Sequence, residues 1–112
     1  MQTSYMLKVT GGSYEKVFDL CSQVGADYEF TCYESLGRDV SGRSNSTVTA
    51  TKAGCALGHD IDQREHCIIG AVKDFISYFH SDTEALKLCD AMTETEIQET
   101  CYSTAQSYYK NF

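Results

Sequence analysis

Apolar residues recur at helical spacing after three of the cysteines in the chain. The residues one, four and eight positions after Cys32, Cys67 and Cys101 are all apolar or aromatic: Tyr33, Leu36 and Val40; Ile68, Ala71 and Phe75; Tyr102, Ala105 and Tyr109. Together with the cysteine, these positions form one face of an α-helix. No run of period-two alternation indicates strands. The pattern therefore predicts an all-α fold.

A shorter apolar face precedes the first and the third of these helices. Its members are Val17, Leu20, Cys21 and Val24 in one case, and Ala85, Leu88, Cys89 and Met92 in the other. The middle copy, TATKAGCALG, contains glycine and has the weakest helical pattern. We expect three antiparallel helical hairpins in a single domain, 1–112, with units at 13–45, 46–80 and 81–112.

The cysteines have the same period as this pattern. The first members of successive pairs (21, 55 and 89) are 34 residues apart, and the second members (32, 67 and 101) are 35 and 34 apart. Such regularity indicates a repeat of about 34 residues, the length of a helical hairpin.

Helix boundaries follow from residues that cap helices. Gly25 and Gly58 can adopt the left-handed backbone that closes a helix. Side chains that accept hydrogen bonds at a helix start stand five or six residues before each second cysteine, namely Asp27, Asp62 and Thr95. Residues 37–54, rich in Ser, Thr and Gly, are interpreted as a loop that contains the turn between the first two hairpins. Residues 5–12 are in register with the end of a long helix from a preceding unit.

An even number of cysteines without CxxC spacing favours disulfides over a metal site. In each predicted hairpin, one cysteine lies about a turn before the end of the first helix and the other one to two turns into the second. These positions face each other and can meet the Cα separation of ~4.4–6.8 Å that a disulfide needs. We therefore predict Cys21–Cys32, Cys55–Cys67 and Cys89–Cys101.

Three disulfides imply an oxidising compartment, so we expect a secreted or periplasmic protein. The sequon Asn45-Ser46-Thr47 is compatible with a secretory route. The first residues, MQTSYMLKV, lack the apolar core of a signal peptide. We interpret them as the start of a mature region that follows an added Met1.

A two-helix unit of 34 residues resembles tetratricopeptide and Sel1-like repeats, and a cysteine in each helix is similar to the disulfide-bridged Sel1-like proteins of secreted bacterial origin. The resemblance covers residues 13–112 and implies a stack of helical hairpins. The Trp/Leu-Gly/Tyr consensus and closing proline of the tetratricopeptide are missing, and the gaps within the cysteine pairs are longer than the bridged Sel1-like family implies. The resemblance therefore implies an architecture but no binding residue.

Charge narrows the possible partners. The formal net charge is −7, and no Lys/Arg cluster offers contacts to a phosphate backbone, so we expect no nucleic-acid partner. The apolar runs are too short to cross a bilayer, so no membrane insertion is expected.

Two candidate chemical sites involve the histidines. Cys55, His59, His66 and Cys67 have the residue types of a tetrahedral zinc site, but the two cysteines share the register of the other predicted disulfides. We therefore interpret them as a disulfide flanked by surface histidines. His59-Asp60 resembles the His-Asp pair of secreted phospholipases A2, but no glycine-rich calcium loop accompanies it, and a capping role explains Asp60 or Asp62 better.

Aromatic residues are concentrated in FISYF (75–79) and YYKNF (108–112). Half of them fit the core, with Tyr109 at the inward position, and we single out Tyr78, Tyr108 and Phe112 as possible partner-binding residues because tyrosine-rich patches are typical of recognition surfaces. We expect a non-enzymatic, exported protein-interaction module that needs no cofactor or metal and binds a protein partner or itself.

Two alternatives stay open. One is a carrier of a small apolar ligand between the hairpins, as in odorant-binding proteins, although their cysteines three residues apart are missing here. The other is a structural subunit that self-assembles through its repeat ends.

Overall fold

The computed structural model describes residues 3–112, which form seven α-helices and no strand. The helices are α1 (Thr3–Val9), α2 (Tyr14–Cys21), α3 (Ala26–Arg43), α4 (Val48–Cys55), α5 (Ile61–Phe79), α6 (Thr83–Asp90) and α7 (Thr95–Lys110). The prediction of an all-α fold is confirmed. The interpretation of Met1 lies outside the described residues.

Three disulfides join the helices in pairs. Cys21–Cys32 links α2 to α3, Cys55–Cys67 links α4 to α5, and Cys89–Cys101 links α6 to α7. Their Cα–Cα distances are 5.5, 5.5 and 5.4 Å, within the usual range for disulfides. The pairing predicted from the cysteine register is therefore confirmed. Intrachain disulfides of this kind indicate an oxidising environment.

The long helices pack side by side, and the short helices pack on them. α3 contacts α5, α5 contacts α7, and α2, α4 and α6 each contact the long helix that follows them. The largest side chains of the shared core are Phe18, Tyr33 and Phe75. α1 packs on α3, where Thr3 Oγ1 lies 2.7 Å from Ser35 Oγ.

Glycine allows the backbones of α3 and α5 to touch. A Cβ atom placed on Gly37 would lie 1.9 Å from the carbonyl oxygen of Cys67, and one placed on Gly70 would lie 1.9 Å from the carbonyl oxygen of Glu34. Both distances are far below van der Waals contact. The α3–α5 interface therefore requires glycine at these two positions, because no side chain fits there.

The start of α5 differs from the prediction. Asp60, not Asp62, is the N-cap, and its side chain accepts a hydrogen bond of 2.9 Å from the Gln63 backbone N–H. The Gln63 side chain in turn accepts one of 2.6 Å from the His59 backbone N–H. This reciprocal arrangement resembles a capping box and needs its two members three residues apart, which Asp60 and Gln63 satisfy.

Four further predictions about helix boundaries differ from the structure. The other two predicted N-caps, Asp27 and Thr95, lie inside their helices. α3 begins directly after Gly25 (φ 101°), and α7 begins directly after Glu94. Gly58 does not adopt a positive φ. Most of the predicted loop 37–54 is helical, but the turn expected within it is present at residues 44–47, which connect α3 to α4. Asn45 is exposed there and has a φ of 53°.

Candidate partner-binding surface

Aromatic side chains collect where α5 and α7 end. We define the aromatic surface as Tyr78, Phe79, His80, Tyr108 and Phe112. The Tyr78 and Phe79 rings meet edge to face with centroids 4.9 Å apart, and the Phe112 ring lies 5.7 Å from His80 and 6.1 Å from Tyr108. The structure thus places the three predicted binding residues at the ends of two adjacent helices.

The end of α5 shapes this surface. His80 has a left-handed backbone (φ 53°), and its N–H donates a hydrogen bond of 2.9 Å to the carbonyl oxygen of Ile76, which closes the helix. Phe79 contacts the buried Phe75 ring edge to face, with centroids 6.1 Å apart. Phe79 therefore connects the exposed Tyr78 ring to the core. The sequence interpretation did not single out Phe79 and His80, although FISYFH contains both.

The exposed fractions distinguish the residues of this surface. Tyr78 is 66% exposed and Phe112 is 55% exposed, whereas Tyr108 is partly buried and packs against the core. Tyr108 Oη lies 3.2 Å from Ser77 Oγ of α5. Tyr109, predicted to face the core, is exposed. That prediction is wrong because no element of the described chain covers that side of α7.

A shallow groove between α5 and α7 leads to Tyr108. It has a volume of about 420 Å³ and is lined by Ile69, Lys73, Ser103, Thr104, Ser107 and Asn111 in addition to Tyr108. Its hydroxyl and amide groups can form hydrogen bonds with a segment that crosses the helices. The aromatic surface therefore adjoins a polar groove, which is the arrangement of an apolar contact with a polar rim.

The proposed zinc residues have other partners. Cys55 and Cys67 form a disulfide, His59 Nε2 lies 3.0 Å from Asp19 Oδ1, and His66 Nδ1 lies 2.9 Å from Glu34 Oε2. Residues 3–112 contain no group of three or more His, Cys, Asp or Glu side chains placed to hold a metal ion. The predicted disulfide is confirmed, but only His59 lies at the surface: its side chain is 50% exposed, whereas that of His66 is 18% exposed.

Tyr33 is a buried link between α3 and α5. Its Oη donates a hydrogen bond of 2.5 Å to Glu29 Oε1 and accepts one of 3.4 Å from Gln63 Nε2. Burial and the hydrogen bond to Glu29 raise the pKa of Tyr33 well above its ordinary value. Tyr33 thus joins α3 to α5 through packing in the core and through the hydrogen bond from Gln63.

A small apolar cavity lies between α4, α5 and the start of α7. Its volume is about 50 Å³, and its walls include Cys55, Ile68, Met92 and Ile97. The Arg64–Glu94 ion pair stands at its edge, where Arg64 Nε and Nη2 donate hydrogen bonds of 2.8 and 3.0 Å to the two carboxylate oxygens. Two parallel hydrogen bonds fix the start of α7 against α5.

This ion pair predicts a pH-dependent stability. The hydrogen bond from Arg64 lowers the pKa of Glu94, so the pair stabilises the fold above the unfolded-state pKa of a glutamate and loses this effect as the pH falls through the lower, folded-state pKa. We expect Glu94→Gln to lower the melting temperature at pH 7, and the difference from the wild type to shrink below about pH 4.

The exposed Glu99, which forms no ion pair among the described residues, offers the control Glu99→Gln. Calorimetric melting across pH 3–7 checks both variants. A Glu94→Gln deficit that stays constant with pH would contradict the assignment.

No protein-family model, no curated protein and no solved structure matches the chain. The resemblance to Sel1-like and tetratricopeptide repeats therefore stays a prediction from the sequence. Within residues 3–112, no helix has both the length and the apolar character needed to cross a membrane.

Proposed function

We propose that the protein is a non-enzymatic, exported interaction module that binds a protein partner through the aromatic surface. The observation that carries the proposal is the cluster of exposed rings at the ends of α5 and α7. Exposed Tyr and Phe side chains supply large contact areas at a small cost in side-chain entropy, and they are enriched in interfaces.

The scaffold suits such a function. Each long helix that contributes to the aromatic surface is joined to a short helix by a disulfide, Cys55–Cys67 for α5 and Cys89–Cys101 for α7. Rigid elements present a contact surface with little loss of entropy on binding. The disulfides also favour the secreted or periplasmic location that the proposal requires.

The carrier alternative receives less support. A cavity of about 50 Å³ is well below the ~150 Å³ that holds a ligand as small as benzene. A carrier would have to open the contacts among α4, α5 and α7 before it could enclose a larger ligand. Recognition at the surface needs no such change.

The test compares one double variant and one single control variant with the wild type. Tyr78→Ser/Phe112→Ser removes the two most exposed rings of the aromatic surface, and we expect partner capture to fall at least tenfold while the circular dichroism and melting temperature stay the same. The control is Tyr28→Ser, because Tyr28 is similarly exposed but lies at the start of α3.

Binding is measured by quantitative mass spectrometry of proteins crosslinked to each variant in extracts of the native source. A partner lost only with the aromatic-surface variant supports the proposal. Equal capture by all three proteins would contradict it.

A further inference from the structure

α7 exposes a face whose equivalents in α3 and α5 are buried. The residues one and eight positions after the second cysteine are at most 3% exposed in the first two cases: Tyr33, Val40, Ile68 and Phe75. Their counterparts in α7 are Tyr102, 38% exposed, and Tyr109, 44% exposed. The same repeat position is therefore covered twice within the chain and uncovered once.

The helix pair that comes next in the chain provides the cover. Tyr33 of α3 accepts a hydrogen bond from Gln63 of α5. Val40 of α3 packs so closely on α4 that a Cβ atom placed on Gly54 would lie 2.5 Å from Val40 Cγ1. In α3, these two positions therefore contact the helix pair that follows in the chain, α4 and α5.

Tyr102 takes up the corresponding place in the third pair. Tyr33 packs against Phe18 of the short helix that precedes it, with ring centroids 6.1 Å apart, and Tyr102 donates a hydrogen bond to Asp90 of its own short helix, α6. Leu86 of α6 is exposed as well. We define the open face as Leu86, Tyr102 and Tyr109.

The open face is less apolar than the internal interfaces. Five and nine positions after the cysteine, α5 has the buried residues Val72 and Ile76, whereas α7 has the exposed Gln106 and Lys110. Aromatic rings mixed with polar side chains are typical of an interface that forms and separates reversibly. A fully apolar face would instead indicate a permanent contact.

The opposite end of the molecule also exposes apolar side chains. α1 packs on the remainder of the fold through Thr3 and Leu7, which are buried, while Tyr5 and Val9 are exposed. Tyr5 and Val9 are four residues apart and therefore lie on one side of the helix. We define them as the α1 face.

We propose that the open face of one copy binds the α1 face of a second copy, so that copies associate head to tail. The occupant is a second copy because this chain already forms the same kind of contact: α1 lies on α3, α3 on α5 and α5 on α7. The contact would continue that series from one molecule to the next. An interface between two different faces of the same protein produces a series of oligomers rather than a closed dimer.

The net charge of each copy determines how the association depends on salt concentration. Each copy has a formal charge of −7, so copies repel one another, and salt screens this repulsion. Because the contact is made by rings and aliphatic groups, we expect association to strengthen between about 0.02 M and about 0.15 M salt. Contacts made by ion pairs would weaken over the same range.

Light scattering coupled to size exclusion tests the proposal, with protein from about 10 μM to about 1 mM. The wild type should give an average mass that rises with concentration. Two double variants, one for each face, should each be monomeric: Tyr102→Lys/Tyr109→Lys and Tyr5→Lys/Val9→Lys. They should stay monomeric even though the added lysines reduce the net negative charge and with it the repulsion between copies. Their equimolar mixture should form a dimer and nothing larger, because only one intact pair of faces remains.

Two controls separate this contact from the aromatic surface. Tyr28→Lys, outside both faces, and Tyr78→Ser/Phe112→Ser should associate as the wild type does. A wild type that stays monomeric at the highest concentration, or a mixture that stays monomeric, would overturn the proposal. Association by either face variant alone would also overturn the proposal. So would loss of association in Tyr78→Ser/Phe112→Ser, but that result would leave the proposed partner-binding role of the aromatic surface intact.

Discussion

Replacement of Gly37 by alanine is expected to lower the free energy of unfolding by about 3 kcal/mol. The new methyl group would lie 1.9 Å from the carbonyl oxygen of Cys67 and 2.8 Å from its carbonyl carbon. Backbone atoms in the middle of a helix cannot rotate away as a side chain does, so α3 and α5 must separate. Separation loosens the contacts of buried neighbours such as Leu36 and Ala71, which pack at high density. Urea unfolding followed by circular dichroism measures the loss.

Gly42→Ala is the matched control because it makes the same chemical change in the same helix. Gly42 is exposed, and a Cβ atom placed there would meet nothing within 4 Å. Alanine favours the helix over glycine, so we expect a gain of about 0.5 kcal/mol. The two variants should therefore shift stability in opposite directions.

Gly70→Ala provides the reciprocal change, since its methyl group would meet the carbonyl oxygen of Glu34 at 1.9 Å. Once one methyl group has separated the helices, a second costs less. The double variant should therefore lose less stability than the two single variants added together. A loss below about 1 kcal/mol for Gly37→Ala would show that α3 and α5 do not make this backbone contact.

The sequence could predict the disulfides because the cysteine register repeats along the chain, and a local hairpin is enough to bring each pair together. It could not predict the contact at Gly37 and Gly70. Gly37 stands at the start of the stretch interpreted as a loop, and Gly70 stands within a helical pattern, where glycine is merely tolerated. The role of both glycines depends on how two distant helices cross. Close approach of helices is a tertiary property that helical periodicity does not contain.

Composition gave the wrong end for α3. Ser41 and Gly42 belong to the helix, although both are common in turns, and Ser41 is buried. Burial of this part of the chain outweighs the weak helix propensity of its residues. The start of α5 was ambiguous because Asp60 and Asp62 both suit an N-cap. In the structure Asp60 accepts the hydrogen bond from the Gln63 backbone N–H and begins the helix.

The candidate surface was predictable in part. Aromatic residues near both helix ends are visible in the sequence, so Tyr78 and Phe112 could be singled out. The inward position was assigned to Tyr109 by extending the pattern of α3 and α5 to α7. That pattern holds only where another helix pair packs on the face. Whether a neighbour packs there cannot be determined from the sequence of α7 alone.

Removal of all three disulfides is expected to destabilise the fold more than Gly37→Ala does. Cysteines 11, 12 and 12 residues apart in the sequence form the three bridges, and each loop of this length contributes about 3 kcal/mol by restricting the unfolded chain. Together they contribute about 9 kcal/mol. A domain of this size has a total stability of only about 6–17 kcal/mol. We expect the fully reduced chain to be unfolded or only marginally folded at 37 °C.

All six cysteines are buried, so a reductant reaches them slowly in the native protein. Reduction should therefore be carried out in denaturant, followed by dilution and measurement of helical circular dichroism. The oxidised protein, taken through the same steps without reductant, is the control. Recovery of the full helical signal and an unchanged melting temperature after reduction would show that packing alone stabilises the fold.

Removing one bridge at a time separates chain entropy from packing. Because the loops are almost equal in length, the entropic loss should be the same for each pair, about 3 kcal/mol. Any difference in stability loss among the three double Cys→Ala variants then comes from the packing of the core around each disulfide. We expect Cys89→Ala/Cys101→Ala to cost least, since α7 has one uncovered face and its surroundings can adjust to the lost sulfur atoms. Cys55→Ala/Cys67→Ala should cost most, because α5 is enclosed by α3 and α7 and the carbonyl of Cys67 lies at the Gly37 contact. The reverse order in urea unfolding would show that cover by neighbouring helices does not determine these losses.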